Sequence, residues 1–293
     1  MTVRESYRAG SFYERSPDAC RRHAEQLLRD AEPPDDLPEP IFGGIVPHAG
    51  WVFSGGLAAK TFKALDRGGP DIWLLFGADH TGSVKMGEVF TEGVWRTPIG
   101  EAAIDEELAS ALLAAGDAFR ANPEAHAFEH SLEVQVPLLL AMRPEARIVP
   151  VAVPPTPLAI EVGRTAGDLL RDRAENAAPP TAVLGSTDLT HHGGHFGSPG
   201  GQGAEGVEWA RRNDRRMLDL IERLAAEEII TEAAERRNAC GAGAIAATVA
   251  ACRRLGATRG RVLEYTNSYE VLRRLQPGAP DYTTVGYASV VFA

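Results

Sequence analysis

Residues 41–56 read IFGGIVPHAGWVFSGG. An apolar run with the length and β-branched character of a buried strand ends at Pro47, and the next residue is a histidine followed by small residues. That order places His48 where a strand meets a loop. In open α/β sheets, ligands bind in the crevice beyond the carboxyl ends of the strands, so a metal-competent side chain there is placed for chemistry. Gly50, Gly55 and Gly56 permit close approaches that larger residues resist. A histidine that merely hydrogen-bonds a turn is the competing reading, and this stretch alone does not separate the two.

Working outward, residues 57–65 are good helix formers and complete a strand-loop-helix unit. DIWLLFG at 71–77 is a second buried strand, and it ends in Gly77-Ala78-Asp79-His80. Two strand ends separated by a helix lie on the same side of a parallel sheet, so His48 and His80 are expected to face one crevice; two structural histidines are the alternative. A third strand, 181–187, runs into Asp188, His191, His192 and His195. One carboxylate and three histidines within eight residues are hard to explain by packing. Asp188 is expected to orient a histidine or bind metal, and His191 to transfer protons near neutrality. His192 and His195 read as exposed on a glycine-rich loop. Asn238-Ala239-Cys240-Gly241 opens an Ala-rich helix at 244–253, where the positive end of the backbone dipole favours a thiolate. Cys240 is thus a candidate nucleophile or ligand, whereas Cys252 reads as core.

The rest of the chain alternates in the same way. A helix is expected over 17–31 with Ser16 as N-cap, a strand or hairpin over 86–95 with Trp95-Arg96-Thr97-Pro98 as its turn, and a helix over 104–115. Residues 129–135 open a helical segment that becomes apolar through 136–142; His130 and Glu133 either share a face as a metal or acid-base pair, or form the polar start of a core helix, which is preferred. A strand over 148–153, a helix over 158–173, a charged helical region over 205–230 and strands over 261–266 and 283–292 complete the pattern. The rings of Phe12 and Tyr13 either close over a pocket or pin the N-terminus to the core, the second being the commoner use of such residues. With no linker or composition break between units, residues 1–293 are expected to form a single α/β domain.

A formal charge of −10 and a pI near 5.3 give no general attraction for nucleic acid or anionic membrane. Arg211, Arg212, Arg215 and Arg216 read as the solvated face of a helix that also carries Asp214, Asp219 and Glu222. There is no signal-like segment and no apolar run of about 18 residues, so a cytoplasmic location is expected. Three scattered cysteines make no disulfide framework. No P-loop or dinucleotide fingerprint is present.

Six stretches, PHAGWVFSG (47–55), GADH (77–80), EHSLEVQVP (129–137), STDLTHHG (186–193), NACG (238–241) and VGYAS (285–289), occur in an order that resembles the MEMO family, as does the opening AGSFY. The resemblance spans nearly the whole chain. It implies a three-layer α/β/α fold similar to class III extradiol dioxygenases, with His48, His80 and Cys240 as metal ligands and Asp188 and His191 lining the same pocket. It further implies iron, with copper or zinc as alternatives, a small-molecule substrate, and radical S-adenosylmethionine and AMMECR1-like proteins as partners. Two functions follow: a non-haem iron oxidoreductase with His191 and Asp188 as catalytic residues, or a metal-binding or peptide-binding adaptor without turnover. A zinc hydrolase is a third. Phe12 and Phe53 stand where family members often carry tryptophan and tyrosine, which weakens the peptide-binding reading. Cys240 stands where the dioxygenases complete their site with a carboxylate, and a softer thiolate broadens the choice of metal.

Overall fold

A computed structural model describes residues 2–278 and 282–293. Four apolar runs, Gly43–Val46, Ile72–Gly77, Arg147–Ala152 and Thr181–Ser186, lie side by side and parallel at its centre. Strands buried on both faces need no alternation of polar residues, and these four are almost entirely apolar and buried.

Along the chain, β1 (Val3–Arg4) precedes α1 (Pro17–Asp30), β2 (Gly43–Val46), α2 (Trp51–Asp66) and β3 (Ile72–Gly77). There follow β4 (Gly87–Val89), β5 (Val94–Thr97), β6 (Gly100–Ile104), α3 (Glu106–Ala114), β7 (Phe119–Ala121), α4 (Val136–Met142) and β8 (Arg147–Ala152). Then come α5 (Leu158–Glu175), β9 (Thr181–Ser186), β10 (His191–His192), α6 (Gly203–Glu222), α7 (Ala226–Arg236), α8 (Ala242–Leu255), β11 (Gly260–Asn267), α9 (Ser268–Leu275) and β12 (Thr284–Phe292). The sheet runs β1-β5-β6-β8-β3-β9-β2-β12-β10, with β11 paired to β12 and β4 joining β8 to β7.

The layering is visible at two adjacent glycines of β2. A Cβ on Gly43 would meet Cys252 of α8, and one on Gly44 would meet Thr61 of α2, so the two helices cover opposite faces. With α1 and α4 beside α2, and α5 beside α8, the architecture is α/β/α, as the family resemblance implied. Among the described residues no helix is long and apolar enough to cross a membrane.

The α5–α8 contact depends on Gly163 and Gly167, one turn apart, which lie against the carbonyls of Ala247 and Ala251; a Cβ on Gly163 would come 2.2 Å from the Ala247 oxygen. In an exposed helix, Gly→Ala would stabilise by about 1 kcal/mol. Here the clash is with backbone, and Gly163→Ala is expected to destabilise by about 1–3 kcal/mol, read from the urea midpoint.

Several boundaries differ from expectation. α2 starts at Trp51 rather than at 57, because the Trp51 amide donates to the Phe12 carbonyl and its indole donates to the Val134 carbonyl, which fixes the first turn. Trp95 to Thr97 is strand, not turn; β5 pairs with β6 from Val94↔Ala103 to Thr97↔Gly100, so the reversal falls at Pro98-Ile99. Ile104 therefore ends β6, and α3 begins after Asp105, whose carboxylate accepts from the Leu108 amide. The charged region at 205–230 breaks into α6 and α7 where Leu224 takes a left-handed conformation. Asp214 is not on the solvated face: it is 1% exposed. Residues 129–132 are not helical, and α9 was not foreseen.

Candidate metal centre

Because β2, β3 and β9 are parallel neighbours, their C-terminal ends open on one edge, and each delivers part of the centre. β2 leads to His48, β3 to His80, and β9 to Asp188. Cys240 enters from the other side of the chain, just before Gly241, the N-cap of α8. A Cβ on Gly241 would lie 2.4 Å from the Ser186 carbonyl, so glycine lets this loop press against the end of β9. The imidazoles of His48 and His80 stand edge to face with centroids 5.1 Å apart, and Cys240 Sγ lies 3.1 Å from His48 Nε2. One donor atom from each of His48, His80 and Cys240 falls within 4.8 Å of the others.

The hydrogen bonds fix which nitrogen each ring offers. Ser186 Oγ donates to the Ser131 carbonyl, so it accepts from His48 Nδ1 (3.0 Å) and leaves Nε2 facing the sulfur. His80 Nδ1 donates to the Glu129 carboxylate at 3.0 Å, an acceptor-only group at neutral pH. Glu129 also accepts from the backbone amides of His80, His130 and Ser131. Both rings are thus set by neighbours that metal-ligating histidines characteristically have.

Protonation follows from these contacts. Burial and the adjacent imidazoles of His80 and His130 keep His48 neutral, with its pKa well below the usual value. Burial opposes a charge on His80, but hydrogen bonds to Cys240 and Glu129 outweigh it and push its pKa up to about 10. Glu129 is held well below the carboxylate range by His80 and the backbone amides, against the opposing effect of burial. The Cys240 thiol is pushed up by burial despite His80. In the metal-free protein at neutral pH His80 is therefore protonated and Cys240 remains a thiol, and a cation would displace those protons.

The donor set fits a metal ion. Donors about 2.1 Å (N) and 2.3 Å (S) from one ion, at 90–110° to each other, lie about 3.1–3.6 Å apart. The His48–Cys240 separation is in that range. Two imidazoles and one thiolate suit iron, copper or zinc and leave coordination positions open.

A cavity of about 660 Å³ opens over these groups, lined among others by His48, His80, His130, Asp188 and His191. His191 Nδ1 donates to the Leu189 carbonyl at 3.0 Å, so it is this carbonyl, not Asp188, that fixes the tautomer and leaves Nε2 free. Asp188 Oδ1 accepts from the His48 amide at 2.7 Å; burial raises its pKa to about 7. Its own amide donates to Cys240 Sγ at 3.3 Å.

His130 is the residue whose partner sequence reasoning misplaced. Its ring stacks on His80 (4.6 Å, 26°) and meets His48 at 5.3 Å. Burial, together with His80, lowers its pKa to about 4, so it is neutral. The carboxylate beside it is Glu129, at 3.5 Å, whereas Glu133 pairs with Arg4 and accepts from the Tyr13 hydroxyl. The grouping of His80, Glu129 and His130 is a support, not a second metal site, because Glu129 is already saturated with donors. His192, expected to be exposed, is 1% exposed beneath α6; His195 is exposed. Glu129→Gln is expected to weaken metal binding about 10–100-fold and to destabilise by about 1–3 kcal/mol, because an amide faces donors there. Chelator competition and urea unfolding read the two effects.

An α/β/α sheet with an imidazole-imidazole-thiolate cluster at its strand ends defines the class: a protein with a strand-end centre of metal-ligand type. The profile of the family described as Memo-like protein matches residues 4–291. A MEMO1 family protein of Methanopyrus kandleri is 36% identical over 97% of this chain and 96% of its own length. Relatives of the same description in Methanosarcina acetivorans and Pyrococcus abyssi are 32% and 33% identical, covering 99% and 97% of both chains respectively. The chain belongs to the Memo family.

Proposed function

We propose that His48, His80 and Cys240 bind one metal ion, iron in the first instance with copper or zinc as alternatives, and that the protein is a non-haem metal-dependent oxidoreductase acting on a small organic substrate. The observation that carries this is the convergence of three donor atoms within 4.8 Å, with both rings oriented through Nδ1 so that Nε2 is free. A redox-active ion, when bound, supplies one-electron chemistry and Lewis acidity at its open positions.

The chain's own residues supply the rest. His191 offers an unprotonated Nε2 to the cavity and is kept neutral by burial, so it can accept a proton from a bound hydroxyl and return it later. His130, also neutral, faces the cavity from the His80 side and can serve a second proton or orient an oxygen function. Asp188 holds the His48 backbone and, with a pKa near 7, changes charge in the working range of pH. The rings of Phe12 and Phe53 and the side chains of Val52 and Val285 wall the cavity and limit water.

The test is protein prepared without air, with elemental analysis followed by spectroscopy of the nitric oxide adduct. One iron per chain and a ferrous nitrosyl signal, with metal retained but extract metabolites no longer consumed in His191→Ala, support the reading. Absence of the adduct at stoichiometric iron overturns its oxygen-using form.

A further inference from the structure

Away from the three candidate metal ligands, the charge on the cavity wall is one-sided. Among the described lining residues there is no lysine or arginine, while Glu14 and Asp188 contribute carboxylates. Arg8 and Arg15 lie behind this wall rather than in it: the Arg8 guanidinium packs over the rings of Tyr7 and Phe12, and Arg15, packed behind Gly10, donates to the Ala9 carbonyl. Glu14 and His23 stand on the α1 side of the cavity, joined by a 2.8 Å hydrogen bond from His23 Nδ1 to Glu14 Oε1. Glu14 Oε2 has no hydrogen-bond partner among the described residues. His23 packs edge-on against Trp51, which fixes the pair to the first turn of α2. Phe12 and Tyr13 also line the wall, with Phe12 edge-on to His130 at 5.1 Å and Tyr13 against Trp51 at 5.4 Å.

Such a cavity discriminates by charge at its two ends. At the floor, an ion bound by the donor set would accept oxygen functions. At the α1 end, a carboxylate or phosphate would be desolvated with no lining cation to meet it and with Glu14 beside it, whereas an ammonium or a hydrogen-bond donor would complete the vacant acceptor on Glu14. Building on the metal reading above for the floor, we infer that the substrate is a neutral or cationic molecule, with oxygen donors at the metal-facing end and an amine or other hydrogen-bond donor at the end facing Glu14. Acidic and phosphorylated analogues are rejected.

Isothermal titration under nitrogen with zinc-loaded protein tests this without turnover, because zinc is redox-inert. Three probes share one ring and chain length: dopamine, 4-ethylcatechol and 3-(3,4-dihydroxyphenyl)propionate. Dopamine is expected to bind at least about tenfold tighter than the acid, with the neutral probe between them and the ratio shrinking at high salt. Glu14→Gln, with zinc stoichiometry unchanged, should bring that ratio close to one. Equal or tighter binding of the acid, a ratio that survives Glu14→Gln, or no binding of any probe to fully zinc-loaded protein overturns the inference. A failure of the wild-type protein to take up one zinc is a different result, and it overturns the metal reading instead. The wild-type ratio and its salt dependence decide the matter even if the variant does not fold.

Discussion

Cys240→Ala is expected to abolish stoichiometric metal binding while leaving the fold standing. The side chain is half-buried, its contacts include His48 Nε2, the Asp188 amide and the Asp188 carbonyl, and α8 starts after it at an N-cap that is glycine in any case. Removing it leaves two imidazoles, His48 and His80, that no longer share a charged third donor. Loss of an outer partner of a ligand costs about 10–100-fold in metal affinity, so loss of a thiolate ligand should exceed 100-fold. Cys240→Ser should keep weak binding and shift preference from copper and zinc toward harder ions. The pH dependence has a definite sign. Burial raises the thiol pKa, so at neutral pH metal uptake must expel a proton, and wild-type affinity should rise with pH until the thiol ionises. Elemental analysis and chelator competition from about pH 6 to about pH 9 check both points. One metal per chain in Cys240→Ala, bound as tightly as in wild type, would remove the sulfur from the centre.

The positions of His48 and His80 were legible because they rest on one rule: apolar runs buried on both faces end together in a parallel sheet. Cys240 was legible as a residue at a helix start, but its meeting with His48 depends on α8 folding back under β9, which no local pattern encodes. The stretch 129–135 shows most clearly what was missed. Periodicity presented it as a helix start, whereas its side chains brace the three strand-end loops: Glu129 holds His80, Ser131 receives the Ala78 amide and, through its carbonyl, the Ser186 hydroxyl, and Gln135 donates to the Pro47 carbonyl. These bonds join residues 49 to 88 positions apart, beyond the range of any helical or strand period. Asp214 was hidden by its charged neighbours on α6. The spacing Val207, Ala210, Asp214, Met217, Ile221 could have revealed it, since a helix places those positions on one side and four of the five are apolar core.

That carboxylate sustains the second large prediction. Asp214 accepts from the Thr190 amide and the Tyr265 hydroxyl, both at 2.7 Å, while Asn213 beside it donates to Thr190 Oγ1 and accepts, through its carbonyl, from Asn238. One turn of α6 thereby ties the loop of His191 to the loop of Cys240. Burial raises the Asp214 pKa to about 7, against the opposing pull of its hydrogen bonds. A carboxyl whose folded pKa lies above its unfolded value, about 3.9, favours folding fully below that value, and the contribution is lost as pH rises toward 7. The slope is at most about 1.4 kcal/mol per pH unit, so wild-type metal-free protein should lose up to about 4 kcal/mol from this group across the window. Asp188 and His80, raised in the same direction, add to that slope, and the depressed histidines, His48, His126, His130, His191 and His192, work against it. The difference between wild type and Asp214→Asn therefore isolates the group. The variant should be less pH-sensitive than wild type and should gain on it steadily as pH rises, measured as urea midpoints in chelator. Parallel curves for the two proteins would mean that Asp214 has the same pKa in the folded and unfolded chain, so that above about pH 5 α6 holds the two loops through a carboxylate rather than a protonated carboxyl.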